Sequence, residues 1–324
     1  MITAEESLKK ISDMEPFSSW TDGRPPETFV QGPAGPKEAE FYKENGYLVM
    51  DRILSDAEVD AINADAVRIC RNPDGNIVGA PPVSAELSDD EVLAQILCLH
   101  MPHKMSAVMK DALSHPEIVR ALTQLVSPNV KAMQSMLFLK VAGKPGQAWH
   151  QDEDYIPTRD RSLIGVWIAL DDATVENGCL WIIPGSQKPG ILWKQEWHED
   201  RNFDCSHESQ NFPYTVADEI PVEVKKGSVV FFNGYTLHRS LPNRAKSGFR
   251  RALVNHYCSA ETFLPWRVEE GRAVAWMDYR DIVMVAGVDP HAYKGIEDIS
   301  KPSIRPGGQG GCLNWVKEPL PYKN

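Results

Sequence analysis

With 324 residues, 42% hydrophobic and 24% charged, the chain has the composition of an ordinary globular protein and can bury a sizeable core without staples. A formal charge of −11 argues against nucleic acid or an anionic membrane as the main partner, and no run of about eighteen apolar residues offers a membrane span. Six cysteines, Cys70, Cys98, Cys179, Cys205, Cys258 and Cys312, form no C-x-x-C pair, so free thiols in a reducing, cytoplasmic setting are expected rather than a zinc site or a disulfide frame.

Residues 1–14 are polar and charged, without the apolar core of a secretion signal. The whole stretch 1–36 is rich in Pro, Gly and charge and reads as an N-terminal arm with little structure of its own. A helix is predicted over 38–45, stopped by Gly46, and then a short strand over 47–50. Ser55-Asp56-Ala57-Glu58 is a capping box opening an amphipathic helix to about Cys70. Ser88-Asp89-Asp90-Glu91 is a second, opening a helix predicted to run through Leu99. Ser114-His115-Pro116-Glu117 starts a third helix with proline in its first turn.

Past residue 130 the period changes. Short apolar or alternating runs occupy 130–141, 163–170, 178–183, 220–224, 228–232 and 251–257. Turn signals divide them, among them Lys144-Pro145-Gly146, Glu176-Asn177-Gly178 and Asn233-Gly234. Many short strands so punctuated predict a mainly β core of the α+β class, with helices outside. A jelly roll suits it, because its cupin relatives hold metals inside. Residues 188–214 lose the pattern, and Trp193 and Trp197 there favour a lid over a site; a surface insertion packing its own aromatics is the alternative. The C-terminal extension, 263–324, carries Trp266, Trp276 and Trp315 and is expected to pack back onto the domain or onto a partner subunit, which leaves a homo-oligomer open. With no internal repeat and no second core, 1–324 reads as a single domain, with 37–262 as its helical layer and β core.

The chemistry concentrates in Trp149-His150-Gln151-Asp152. In an extended strand, residues i and i+2 share a face, so His150 and Asp152 reach one ion together with Gln151 turned away. His238, after the apolar strand 228–232, is the candidate third ligand. Two histidines and a carboxylate form the facial triad of non-haem Fe(II) oxygenases, which leaves positions open for other ligands. His-x-Asp alone is weak: roughly one is expected by chance in a chain this long, and His198-Glu199-Asp200 is a second instance, set among charges with no strand pattern. The bland readings are a surface turn for His150 and Asp152 and a satisfied polar residue for His238. On the strand after His238, Arg250, Ala252, Val254 and His256 share one face, and Arg251, Leu253, Asn255 and Tyr257 the other. One arginine therefore points into the barrel, where it needs a carboxylate partner, and a ligand can supply it.

Several stretches together resemble the phytanoyl-CoA dioxygenase family: Trp149-His150-Gln151-Asp152, Asn177-Gly178-Cys179-Leu180-Trp181-Ile182-Ile183-Pro184-Gly185-Ser186-Gln187-Lys188, His238-Arg239-Ser240-Leu241-Pro242-Asn243 and Arg250-Arg251. The resemblance spans about residues 41–260. It implies an Fe(II)- and 2-oxoglutarate-dependent oxygenase on a double-stranded β-helix. It implies iron at His150, Asp152 and His238, and the distal carboxylate of 2-oxoglutarate at Arg250 with Ser240. Lys140 matches a position that can contact the cosubstrate. The spacing from His238 to the arginine pair is one residue longer than usual, which keeps Arg251 as the alternative. Family halogenases replace the carboxylate ligand with a small residue; Asp152 is present, which favours hydroxylation.

The expected activity is therefore a dioxygenase using Fe(II), 2-oxoglutarate and O2 to hydroxylate an unactivated C–H of a small organic substrate, with release of succinate and CO2. The competing readings are a non-catalytic metal-binding jelly roll serving as sensor or scaffold, and a cupin-like enzyme that uses no 2-oxoglutarate. Arg250 with Ser240 separates them. Tyr155, Trp167, Trp181 and Trp193 are the candidate substrate contacts, with plain barrel packing as the alternative for each.

Overall fold

The computed structural model describes residues 2–13, 29–30, 34–72, 75, 77–204, 207–265 and 278–307. Helix α1 (Ala4–Asp13) and strand β1 (Phe29–Val30) precede α2 (Pro36–Asn45), β2 (Tyr47–Met50), α3 (Asp56–Cys70), α4 (Asp89–Ala94), β3 (Ile96–His100), α5 (Ala107–Leu113) and α6 (Pro116–Leu125). Next come β4 (Val130–Val141), β5 (Gln147–His150), the one-turn helix α7 (Asp152–Tyr155), β6 (Ile164–Ala169), β7 (Leu180–Ile182), β8 (Gln195–Trp197) and β9 (His207–Ser209). The remainder holds β10 (Ile220–Val222), β11 (Val229–Asn233), β12 (His238–Ser240), β13 (Phe249–Ser259), β14 (Val283–Ala286) and β15 (Ser303–Pro306).

Local chemistry sets the helix ends. Gly46, at φ 77°, closes α2 by donating its N–H to Tyr42 O at 2.7 Å. Ser55 and Ser88 each form the expected capping box, with Glu58 and Glu91. The α3 positions Val59, Ile62, Ala66 and Ile69 are buried, one stripe of a helix packed on a core.

The strands form a jelly roll of mainly antiparallel sheet. A large sheet runs β1-β2-β11-β6-β13-β4-β3-β15, with β14 also on β4, and a four-stranded sheet runs β10-β7-β12-β5. Strand alternation divides the large sheet's side chains between two cores. Val166, Ile168, Phe231 and Leu253 join the helices α3 to α6, while Trp167, Ala169, Phe232 and Val254 face the smaller sheet. Covered on both faces, β6 reads as an unbroken apolar run.

Three stretches differ from expectation, and the C-terminal extension packs back onto the domain as expected, through strands of its own. The helix opened by Ser88 ends at Ala94, and Ile96–His100 is strand β3, edge-paired to β4; a short run such as Ile96-Leu97-Cys98-Leu99 fits either state by pattern, and here sheet pairing decides. The arm holds α1, docked on the smaller sheet through Ser7 and Arg239. The patternless 188–214 holds the hairpin β8-β9, and β9 packs against β5. The C-terminal extension adds β14 and β15 to the large sheet. Trp266, Trp276, Trp315, Cys205 and Cys312 lie outside the described residues, and Cys70, Cys98, Cys179 and Cys258 are free and buried.

Candidate metal centre

β5 ends on His150, Gln151 continues extended at φ −128° and ψ 126°, and Asp152 opens α7. The expected i, i+2 geometry thus survives although the strand stops between the two residues. Antiparallel pairing of β5 with β12 sets His238 directly opposite His150. Gly146, at the turn before β5, admits this approach, because a Cβ there would collide with Ser240 O. His150 Nε2 and His238 Nε2 each lie 3.6 Å from Asp152 Oδ1. Donor atoms each roughly 2 Å from a shared first-row ion stand at such separations. Among the described residues these three are the one set so arranged, all buried, and His198 and Asp200 join no such set.

Surrounding groups fix the donors. His150 Nδ1 donates to Ala148 O at 2.8 Å and His238 Nδ1 to Thr236 O at 2.9 Å, so each Nε2 is left as the free lone pair. Burial, with His238 beside it, lowers the His150 pKa to about 3, and burial also lowers that of His238. Burial works to raise the Asp152 pKa, but His238 and His256 outweigh it and hold the carboxyl below the usual range. Two neutral imidazoles and a carboxylate suit a divalent ion. Gln151 is turned away as expected. Its amide donates to Ile191 O at 2.9 Å and Tyr235 O at 2.8 Å, and its oxygen accepts from Trp193 N at 2.8 Å. The 188–214 insertion is therefore stitched to the residue between two candidate ligands.

His256 was not singled out from the sequence, yet its Nε2 lies 3.0 Å from Asp152 Oδ2. Alternation from Arg250 had put it on the inward face; no spacing motif marked it.

At the other end of the same cavity, about 690 Å³ of atom-free space partly open to solvent, stand Lys140, Ser240 and Arg250. Arg250 is buried, pairs in register with Lys140 across β13 and β4, and donates from Nε to Gly178 O at 3.1 Å. Lys140 Nζ donates to Leu241 O at 2.7 Å and Ser240 Oγ at 2.9 Å. Burial lowers Lys140 well below its ordinary value, with Arg250 adding to it, and lowers Arg250 to about 10. Neither cation forms an ion pair within 4.0 Å among the described residues, whereas Arg251 points out and pairs with Asp171 at 2.5 Å. Asp204 also lines the cavity but pairs with Arg305 at 2.6 Å, and two adjacent buried cations with no protein carboxylate at ion-pair distance favour an anionic ligand.

Of the candidate substrate contacts, Trp167 lines the cavity, but 5.6 Å from the Arg250 guanidinium, at the cationic end. Tyr155 is 42% exposed, its ring 6.1 Å from that of His150 and its hydroxyl bonded to Gln195. Trp193 is half-buried on the insertion. Trp181 is fully buried opposite Arg239 and does not line the cavity, so alternation turns it to the outer face of its sheet.

The sequence signature of phytanoyl-CoA dioxygenase (PhyH) matches residues 42–252, well over half the chain. The chain belongs to the phytanoyl-CoA dioxygenase family. Phytanoyl-CoA dioxygenase 1 of Oryza sativa subsp. japonica is 30% identical over 255 residues, covering 69% of this chain and 89% of that protein. The peroxisomal phytanoyl-CoA dioxygenase of Homo sapiens is 29% identical over 69% of this chain and 68% of its own length. Among solved structures, the non-heme alpha ketoglutarate dependent carbocyclase SnoK from nogalamycin biosynthesis superposes with a TM-score of 0.52 at 25% identity, over 74% of this chain and 92% of that one. EvdO2 from Micromonospora carbonacea var. aurantiaca, complexed with 2-oxoglutarate, shares the fold at TM-score 0.54 and 20% identity, over 77% and 99% of the two chains. Family membership and the triad make this chain a non-haem iron, 2-oxoglutarate-dependent oxygenase.

Proposed function

We propose that the chain hydroxylates an unactivated C–H bond of a small organic substrate, forming succinate and CO2 from 2-oxoglutarate, and that residues 1–324 act as one oxygenase unit. The observation that carries this reading is the cavity with His150, Asp152 and His238 at one end and the uncompensated Arg250 and Lys140 at the other. An iron-binding scaffold has no need of two buried cations beside its ion.

The residues divide the work. His150, Asp152 and His238 would hold Fe(II). Bound iron with 2-oxoglutarate supplies the oxidising power, coupling decarboxylation of the keto acid to C–H oxidation by O2. Arg250, Lys140 and the Ser240 hydroxyl would hold the distal carboxylate, and desolvation strengthens that hold. His256 steadies Asp152 through its Nε2 hydrogen bond. Leu97, Met136, Phe138, Leu180 and Val254 give the cavity apolar walls that exclude water and fit a largely apolar substrate. No helix among the described residues is long and apolar enough to cross a membrane; the four buried free thiols support the cytoplasmic reading.

Purified protein given Fe(II), ascorbate and 2-oxoglutarate in air should form succinate slowly without added substrate, and faster with the right one. Succinate no higher than a boiled control across a broad panel of substrates would count against the proposal.

A further inference from the structure

The outer face of the four-stranded sheet is built around three buried side chains, Trp149 on β5, Arg239 on β12 and Trp181 on β7. Trp149 and Trp181 are absent from the cavity lining, where His150 and Leu180 beside them stand; Arg239 borders the cavity, but its guanidinium is turned outward onto Ile2, Ser7 and Glu219. The Arg239 guanidinium lies 4.6 Å from the Trp149 ring and 5.9 Å from the Trp181 ring. A cation so placed needs a counter-charge, and Glu219, itself without exposed surface, supplies one at 3.0 Å. The N-terminal segment takes further donors on Nη1 and Nη2, while Nε has no partner among the described residues. Arg239 Nη1 donates to Ile2 O at 2.9 Å and Nη2 to the Ser7 hydroxyl, which in turn donates to Glu219. Lys10, farther along α1, donates to Val216 O and Glu219 O at 2.8 Å each.

β12 needs such support. It has three residues, and its pairing with β5 shifts register between His238 and Ser240. β7 holds its other edge in unbroken register, but on the β5 side the ladder is irregular, and apolar packing is non-directional. A buried, hydrogen-bonded charge network is directional.

We infer that α1 is a working part of the metal centre: by clamping Arg239 from behind, it holds β12 so that His238 and Ser240, on either side of Arg239, face the ion and the cosubstrate. Arg239, Glu219 and Ser7 are positioning residues. The inference rests on the ligand roles given to His238 and Ser240 above.

Co(II), a spectroscopic stand-in for Fe(II), would be titrated into the apo form of the 324-residue chain, and 2-oxoglutarate into the Co(II)-loaded protein. The variants are Ser7→Ala, Glu219→Gln, Arg239→Lys, Arg239→Met and a control, Lys104→Met, which removes half-buried pairs with Asp281 and Asp298 away from this sheet. Ser7→Ala and Glu219→Gln are expected to weaken both affinities about tenfold, the scale on which outer partners of metal ligands act, and to alter the Co(II) absorption spectrum. Arg239→Lys should retain more of both than Arg239→Met, and Lys104→Met should lower the thermal midpoint with the spectrum intact. Wild-type affinities and spectrum in Ser7→Ala and Glu219→Gln would overturn the inference. A spectral change in Lys104→Met equal to theirs would overturn it too, since any loss of stability would then suffice. Failure of the wild type itself to bind Co(II) and 2-oxoglutarate would instead bring down the oxygenase reading on which this one rests.

Discussion

Asp152 carries the only negative charge of the triad, between two imidazoles that burial keeps neutral. Asp152→Ala should therefore abolish Fe(II) binding by isothermal titration while the folded-state circular dichroism stays intact; undiminished binding would remove this carboxylate from the site. Arg250→Ala should raise the KM for 2-oxoglutarate about ten- to a hundredfold, the equivalent of ~1.5–3 kcal/mol for hydrogen bonds to a charged group. Arg251→Ala, which breaks only the outward pair with Asp171, should leave it unchanged; the opposite pattern would mean the inward register is off by one. His256→Ala should weaken Fe(II) binding by about ten- to a hundredfold, with a smaller effect on KM. His150 and Asp152 were legible because the i, i+2 rule acts locally, and alternation put one of Arg250 and Arg251 inward; the choice of Arg250 and the weight given to His238 came from the family resemblance. His256 was not legible, because its bond to Asp152 joins residues 104 positions apart, and nothing local announces such a pair.

At the scale of elements, the strands were readable wherever turn residues bracket an apolar run. The Asn177-Gly178 turn shows what such punctuation does. Gly178 sits at φ 83°, a Cβ there would collide with Leu241 O, and its carbonyl accepts from both Arg250 and Lys140. Gly178→Ala should cost about 1–3 kcal/mol in urea unfolding and raise the 2-oxoglutarate requirement together with it; a neutral substitution would show that the turn does not brace the cationic end. β3 was misread because four consecutive apolar residues carry no period of their own. α1 was missed because it is short and polar along much of its length, and what orders it is distant, in Arg239 and Glu219. β14 and β15 owe their state to edges of a sheet that had to exist first.

Over the whole molecule, the jelly roll brings together what the chain holds apart. Two strands of the small sheet supply the histidines, and two neighbouring strands of the large sheet supply the cations. The helices α3 to α6 cover the far face of the large sheet and leave the cavity between the sheets. The account therefore predicts one continuous site for an ion and a dicarboxylate. Its most direct test is an anaerobic titration of 2-oxoglutarate into the Fe(II)-loaded protein, followed by visible absorption, for wild type, Asp152→Ala and Arg250→Ala. A saturable charge-transfer band in the wild type, absent in Asp152→Ala and needing much more 2-oxoglutarate in Arg250→Ala, is the predicted result. No band in the wild type, or one indifferent to both substitutions, would contradict it.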